Sequence, residues 1–310
     1  MKRDYVDSVQ LLLDAAPAVF SAGLFALKGG TAINLFIRNL PRLSVDLDLV
    51  YMDHRSTREQ ALAAISGELK EIQNRIRAVG IDSRIGGSET EESKLLLERS
   101  GVRVKIEVNH IFRGTLLDTM ERPVVQEAQD LFFSELKLPV LNEHELYASK
   151  LVAAMDRQHP RDLFDVIGLY ENGGLTAEVI ECFVGYLAGH NRPVHEVLFA
   201  REVEIQQTYG NEFNGMTREP VELQRLLDIR ERLFRELPRA LSKANRSFLM
   251  SLVAAEPDWE QMSITHLREM PAVRWKLQNL ERLRSVNPAK FEEQAEQLRA
   301  AFERVDADHS

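Results

Sequence analysis

Residues 27–51 read LKGGTAINLFIRNLPRLSVDLDLVY, and the fold is decided inside them. From Leu43 to Leu49 the pattern alternates, with Leu43, Val45, Leu47 and Leu49 on one side and Ser44, Asp46 and Asp48 on the other. Period-two alternation predicts a strand with one buried face. Both carboxylates then leave the sheet from the same side, about 6.7 Å apart along the strand, near enough to converge on one divalent cation. Like charges so placed are unfavourable without a cation between them. The alternative is a solvated polar face. Just upstream, Gly29 and Gly30 let the backbone approach a phosphate, and a helix N-terminus following them offers free N–H groups and positive dipole. A plain tight turn is the other reading of Gly-Gly. Thr31 is expected to cap a helix through Ile33, Phe36 and Ile37, stopped at Asn39-Leu40-Pro41.

Working outward, residues 5–18 read as a short helix ended near Pro17, and residues 57–78 as a charged amphipathic helix. Ser83 to Ser93 reads as a polar linker carrying Gly86-Gly87 and three glutamates, Glu89, Glu91 and Glu92. Leu95–Glu98 and Val102–Asn109 predict a hairpin about Ser100-Gly101. Its second strand alternates Val102, Val104, Ile106 and Val108 against Arg103, Lys105, Glu107 and Asn109. Glu107 is thus on a polar face, where a neighbouring strand can set it beside Asp46 and Asp48, and three carboxylates suit a two-metal site. Pairing of Glu107 with Arg103 or Lys105 is the alternative.

After Leu138-Pro139 the period becomes helical. Glu143–Asp156 is one predicted helix, and Pro160 opens another that runs through Tyr170. Helical patterns continue to Phe302, with breaks expected at Gly173-Gly174, Pro193, Pro238, Pro257 and Pro271. The predicted organisation is α+β over residues 1–139 and mostly helical over 140–310. A second Asp-x-Asp, Asp306-Ala-Asp308, falls in a tail with no strand pattern.

At 310 residues, 44% hydrophobic and 28% charged, the chain is long enough for two domains and is neither disordered nor fibrous in composition. Its net charge of −9 excludes a globally basic surface. Residues 1–139 carry 18 basic and 20 acidic side chains, the remainder 21 and 28, so the negative excess lies mainly in the helical half. A nucleic acid would need a local basic lining, for which Arg38, Arg42, Arg103, Lys105, Lys150, Arg157 and Arg161 are the candidates. The lone Cys182 excludes an intrachain disulfide or a cysteine zinc cluster and suits a reducing cytoplasm. No run approaches the ~18 apolar residues of a membrane span, so no membrane partner is expected. P-loop and H-E-x-x-H signatures are absent.

The run from Leu27 to Tyr51 resembles the signature of the AbiEii/AbiGii-type nucleotidyltransferases, toxin components of type IV toxin–antitoxin systems. That signature is a GG[TS]-A turn followed by R-x-S-x-D-x-D, here Arg42, Ser44, Asp46 and Asp48. Lys150 to Arg157, and Arg161-Asp162 to Asp165, are similar to the family's K-x(6)-R and R-D-x-x-D block. Ser247-Phe-Leu, Pro257-Asp-Trp259 and Pro271 to Lys276 are similar to a C-terminal pattern of the same proteins. The resemblance implies a polymerase-β-like mixed sheet with helices, followed by a helical domain that completes the active site.

It also implies Mg²⁺ at Asp46 and Asp48, with Glu107 as a third ligand where relatives use one. Gly29, Gly30 and Thr31 would hold nucleotide phosphates, Lys150 the triphosphate, and Asp162 would be a later essential acid. The implied catalytic set is therefore Asp46, Asp48, Lys150 and Asp162, with Arg42, Ser44, Arg157, Arg161 and Asp165 accessory. By spacing alone Lys150 and Arg157 share one helix face and Asp162 and Asp165 another, which an ordinary salt-bridged helix pair would also produce. The implied activity moves NMP from an NTP to a hydroxyl acceptor, with RNA, at the 3′ end of tRNA, as that acceptor. A cognate antitoxin and a role in phage defence come with the resemblance. A non-catalytic NTP- or RNA-binding module acting through a partner, and transfer to protein or a small molecule, are the alternatives.

Overall fold

The computed structural model describes residues 3–88 and 92–307. By its contacts the chain divides into two compact units, Met1–Leu146 with Phe213–Val221, and Tyr147–Glu212 with Glu222–Ser310. The division falls inside a helix, seven residues beyond the 139/140 boundary, and returns a later segment to the first unit.

The first unit is a seven-stranded mixed sheet flanked by helices. Its strands are β1 (Phe25–Lys28), β2 (Asp46–Tyr51), β3 (Asp82–Ser88), β4 (Glu92–Arg99), β5 (Val102–Asn109), β6 (Met120–Pro123) and β7 (Lys137–Val140), in the order β3-β4-β5-β2-β1-β7-β6. β2 runs parallel to β5 and β1 parallel to β7, while the other neighbours are antiparallel. The region read as a polar linker is mostly sheet, since β3 and β4 pair from Asp82↔Glu98 to Ser88↔Glu92. Its glycines and charges hid a strand pairing that backbone hydrogen bonds supply regardless of side chain. Of its glutamates, Glu89 and Glu91 lie outside the described residues. The hairpin of β4 and β5 turns at Ser100 (φ 53°) and Gly101 (φ 82°), the doubly left-handed geometry of a two-residue hairpin loop.

Helices α1 (Arg3–Phe20) and α3 (Arg58–Ala78) pack on this sheet. Val9, Leu12, Ala16 and Val19 of α1, and Ala61, Ile65, Leu69, Ile72 and Ile76 of α3, repeat at helical spacing and are buried. α1 runs past Pro17 to Phe20; the missing N–H costs one intrahelical bond without ending the helix. Thr57 caps α3 in a reciprocal capping box with Gln60. Between β1 and β2 the chain makes α2 (Gly29–Ala32), continued as a wider π turn over Ile33–Ile37. α4 (Gln126–Phe132) precedes β7. Residues 213–221 belong here because Leu43 N donates to Met216 O at 2.9 Å and Arg218 N to Pro41 O at 2.9 Å.

The division falls within α5 (Glu143–Arg157). The second unit continues through α6 (Pro160–Glu171), α7 (Ala177–Ala188), α8 (Val194–Leu198), α9 (Gln206–Glu212), α10 (Leu223–Ala240), α11 (Lys243–Val253), α12 (Pro271–Val286) and α13 (Pro288–Ala307). Pro160 and Pro271 stand in the first turns of α6 and α12, where a proline lacks nothing the helix needs. Pro238 does not break a helix as expected, because it lies inside α10, two residues before its end. Asp306 lies in α13, and Asp308 lies outside the described residues.

Candidate active site

The glycine turn and the carboxylate strand are built against each other. Gly29 has φ +75°, a left-handed backbone that favours glycine, and a Cβ there would overlap the carboxylate of Asp48. A Cβ on Gly30 would lie 2.5 Å from Arg42 Nη2 and 2.9 Å from Ser44 Oγ. Both glycines are therefore needed for close approach, and the turn is more than a reversal of direction. α2 begins at Gly29 with Lys28 as its N-cap, so Thr31 is not the cap. Instead the buried Thr31 hydroxyl donates to the backbone carbonyl of Asp46, stitching the turn to β2. Asn34 Nδ2 donates to Gly30 O at 2.8 Å and fixes the turn from behind. Arg42 is 1% exposed and donates to Leu43 O at 2.9 Å, so it braces the turn and leaves the basic surface lining.

Asp46 and Asp48 are half-buried at the start of β2, with Leu47 and Leu49 buried on the opposite face. Only the second half of the alternating run is strand; at its start, residues 41–43 are engaged by the returning 213–221 segment. In register, Asp48 lies between Lys28 of β1 and Glu107 of β5, and Asp46 lies beside Lys105. The neighbouring strand thus brings Glu107 alongside Asp48. Its carboxylate, however, is held by Lys94 Nζ at 3.1 Å and Lys105 Nζ at 3.2 Å. Burial alone would raise the Glu107 carboxyl, but the two ammonium groups outweigh it and hold it below the usual range. Arg103 pairs with Glu98 instead, at 2.7 Å.

Lys94 is the contributor that sequence reading missed; it sat between the supposed linker, which ended at Ser93, and the strand read from Leu95, and only the register opposite Glu107 reveals it. Among the described residues no group of three or more His, Cys, Asp or Glu is arranged to hold a metal ion. Asp46 and Asp48 do offer hard oxygen donors on one partly open face, with Gly29 giving room beside Asp48. That donor set fits a hard divalent cation.

In the second unit Lys150 of α5 meets Asp162 and Asp165 of α6 at 2.8 and 3.3 Å. Arg157 adds a forked pair to Asp162, at 2.6 and 3.1 Å. Lys150, Asp162 and Asp165 are all buried. Burial alone would raise the Asp162 carboxyl, yet Lys150 and Arg157 hold it far below the usual carboxylate range. Arg161 faces the other way, 3.9 Å from Glu212. Beside the cluster, buried Gln158 takes φ 50° and joins Arg201 O, Val203 N and Arg230. Nothing in its local sequence marked it, since its partners lie more than 40 residues away.

The sequence profile described as nucleotidyl transferase AbiEii toxin, type IV TA system, matches residues 10–279. The chain belongs to the AbiEii nucleotidyltransferase toxin family. No curated protein matches it by sequence. Among solved structures it is similar to MenT4, a nucleotidyltransferase toxin from Mycobacterium tuberculosis, at 19% identity and a TM-score of 0.60, over 90% of this chain and 94% of that one. At that identity the likeness speaks for the fold, an α+β mixed sheet with many helices. As an AbiEii nucleotidyltransferase the protein takes an NTP as substrate. No helix among the described residues is long and apolar enough to cross a membrane.

Proposed function

We propose that this AbiEii-family chain moves NMP from an NTP to a hydroxyl of RNA, at the 3′ end of tRNA, with Mg²⁺ held by Asp46 and Asp48. The observation that carries the reading is the fit of Gly29 and Thr31 against Asp48 and Asp46. It ties a phosphate-type turn to a carboxylate pair in one rigid assembly. Mg²⁺ bound there would supply Lewis-acid polarisation of the α-phosphate and offset charge on the leaving pyrophosphate. The residues of the chain do the positioning. Gly29 and Gly30 leave backbone N–H groups of the turn clear for phosphate oxygens. Thr31 fixes the height of that turn over β2, while Arg42 and Ser44 keep Gly30 in place.

Lys150, for the triphosphate, and Asp162, as a later essential acid, follow from the family resemblance. Asp162 and Asp165 would hold the Lys150 ammonium in one orientation, with Arg157 setting Asp162. The proposed setting is the cytoplasm, as the toxin of a toxin–antitoxin or phage-defence system with a cognate antitoxin. The test is incubation with each labelled NTP and total RNA, with and without Mg²⁺, for wild type and Asp48→Ala. Label in tRNA that requires both Mg²⁺ and Asp48 is expected. Label in protein or a small molecule instead would replace the acceptor, and transfer that survives Asp48→Ala would overturn the mechanism.

A further inference from the structure

A cation already stands beside the carboxylate pair. Lys105 is the direct register partner of Asp46 on the parallel strand β5, and its Nζ lies 3.9 Å from Asp46 Oδ2 and 3.2 Å from Glu107 Oε1. Glu107 is in turn bridged by Lys94 at 3.1 Å. Two ammonium groups on one carboxylate make it a poor ligand for a further cation, which would be pressed against like charge. They make it a good anchor for a lysine. The Lys105 side chain is 40% exposed and Glu107 19%, so the lysine has open space to swing into and the anchor does not.

We propose that Lys105 is the resident counter-charge of Asp46, parked there by Glu107, and that a divalent cation taken up by Asp46 and Asp48 displaces it. Glu107 is then the lysine's anchor and not a metal ligand. This rests on Asp46 and Asp48 being the cation-binding pair. The consequence is that Lys105 sets metal affinity. In metal-free protein it relieves repulsion between the carboxylates, and against an incoming ion it competes. Giving up an ammonium–carboxylate attraction at about 4 Å, largely screened by water as at this exposed lysine, weakens binding by about three- to tenfold.

The experiment titrates Mn²⁺ alone, without NTP, into the full chain by calorimetry, with melting curves of the same proteins. Lys105→Met is expected to bind Mn²⁺ about three- to tenfold more tightly than wild type. Without metal it should melt at lower temperature, and saturating Mn²⁺ should close that gap. Lys105→Arg, which keeps the charge, should stay within about twofold of wild type. Adding Glu107→Gln to Lys105→Met should change affinity by no more than about threefold.

Unchanged or weaker binding by Lys105→Met overturns the proposal. So does a loss of about tenfold or more on adding Glu107→Gln, which would make Glu107 a ligand. Wild-type affinity in both Asp46→Asn and Asp48→Asn would instead remove the carboxylate-pair reading beneath it.

Discussion

Two clusters of carboxylate and lysine stand in this chain, and they are solved in opposite ways. The cluster of α5 and α6 is closed, with Asp162 and Asp165 at most 1% exposed and matched by Lys150 and Arg157. The cluster of β2, β4 and β5 is open, its carboxylates half-buried and its lysines 33% and 40% exposed. A closed cluster has nothing left to give without losing stability, because a buried charge deprived of its partner is costly. An open one tolerates exchange of its counter-ion, since water covers the difference. Chemistry that requires a cation to come and go therefore belongs on the sheet, while the helical cluster is suited to holding side chains still.

Substitutions that exchange stability for activity put this contrast at risk. Asp48→Asn removes one of two like charges, so unfolding by urea should move by less than about 0.5 kcal/mol or toward greater stability. NMP transfer should fall by about 10³-fold or more, since metal stabilisation of the transition state is worth several kcal/mol. Asp162→Asn should do the reverse in the unfolding assay, costing about 3 kcal/mol, because buried Lys150 loses its nearer carboxylate, while Arg157, 62% exposed, adds little. Equal stability losses for the two variants would show that both clusters are structural. Gly29→Ala comes next. The left-handed φ alone costs about 1–2 kcal/mol, and the added methyl must push Asp48 aside, so transfer should fall even where the protein remains folded.

The open cluster was the more legible of the two. Alternation over Leu47–Leu49 and Val104–Val108 set faces correctly because a strand's period is fixed by its geometry, so both readings of Glu107, beside Asp48 on a neighbouring strand and paired with Lys105, were open to sequence, and the structure has both. The second counter-ion was less legible. Lys94 faces Glu107 only through the β4–β5 register, and residues 83–93, rich in glycine and charge, carry no apolar alternation to announce a strand. Thr31 followed the statistics of helix caps, yet α2 starts two residues earlier, since glycine at φ +75° lets the helix begin there. Arg42 looked like a surface cation but is sealed by Gly30 and by pairing with Thr217, a contact across more than 170 residues. Local pattern reports faces and spacing; it carries no information on what returns from far along the chain.

The smallest expected effect is a pH response confined to the closed side. His159 caps α6 through Nδ1, which accepts from Arg161 N at 3.1 Å, and its Nε2 lies 3.1 Å from Glu212. Burial holds this imidazole below its ordinary value of 6.5; Glu212 and Asp162 oppose that and Arg161 adds to it. The fold thus favours the neutral ring. Its contribution is fully present above about pH 6.5 and is lost as pH falls through the lower folded value, when Nδ1 can no longer accept. Asp162 is silent over this range, because its lowered pKa delays its own loss until well below pH 4. Melting temperatures at pH 7.5 and 5.5 should therefore differ in wild type, and His159→Asn, which keeps a capping acceptor without the titration, should narrow the difference. It should not abolish it, since burial also lowers His190 and His195 in the same unit. An unchanged difference in His159→Asn would remove the cap from the account of how α6 holds Asp162 in place.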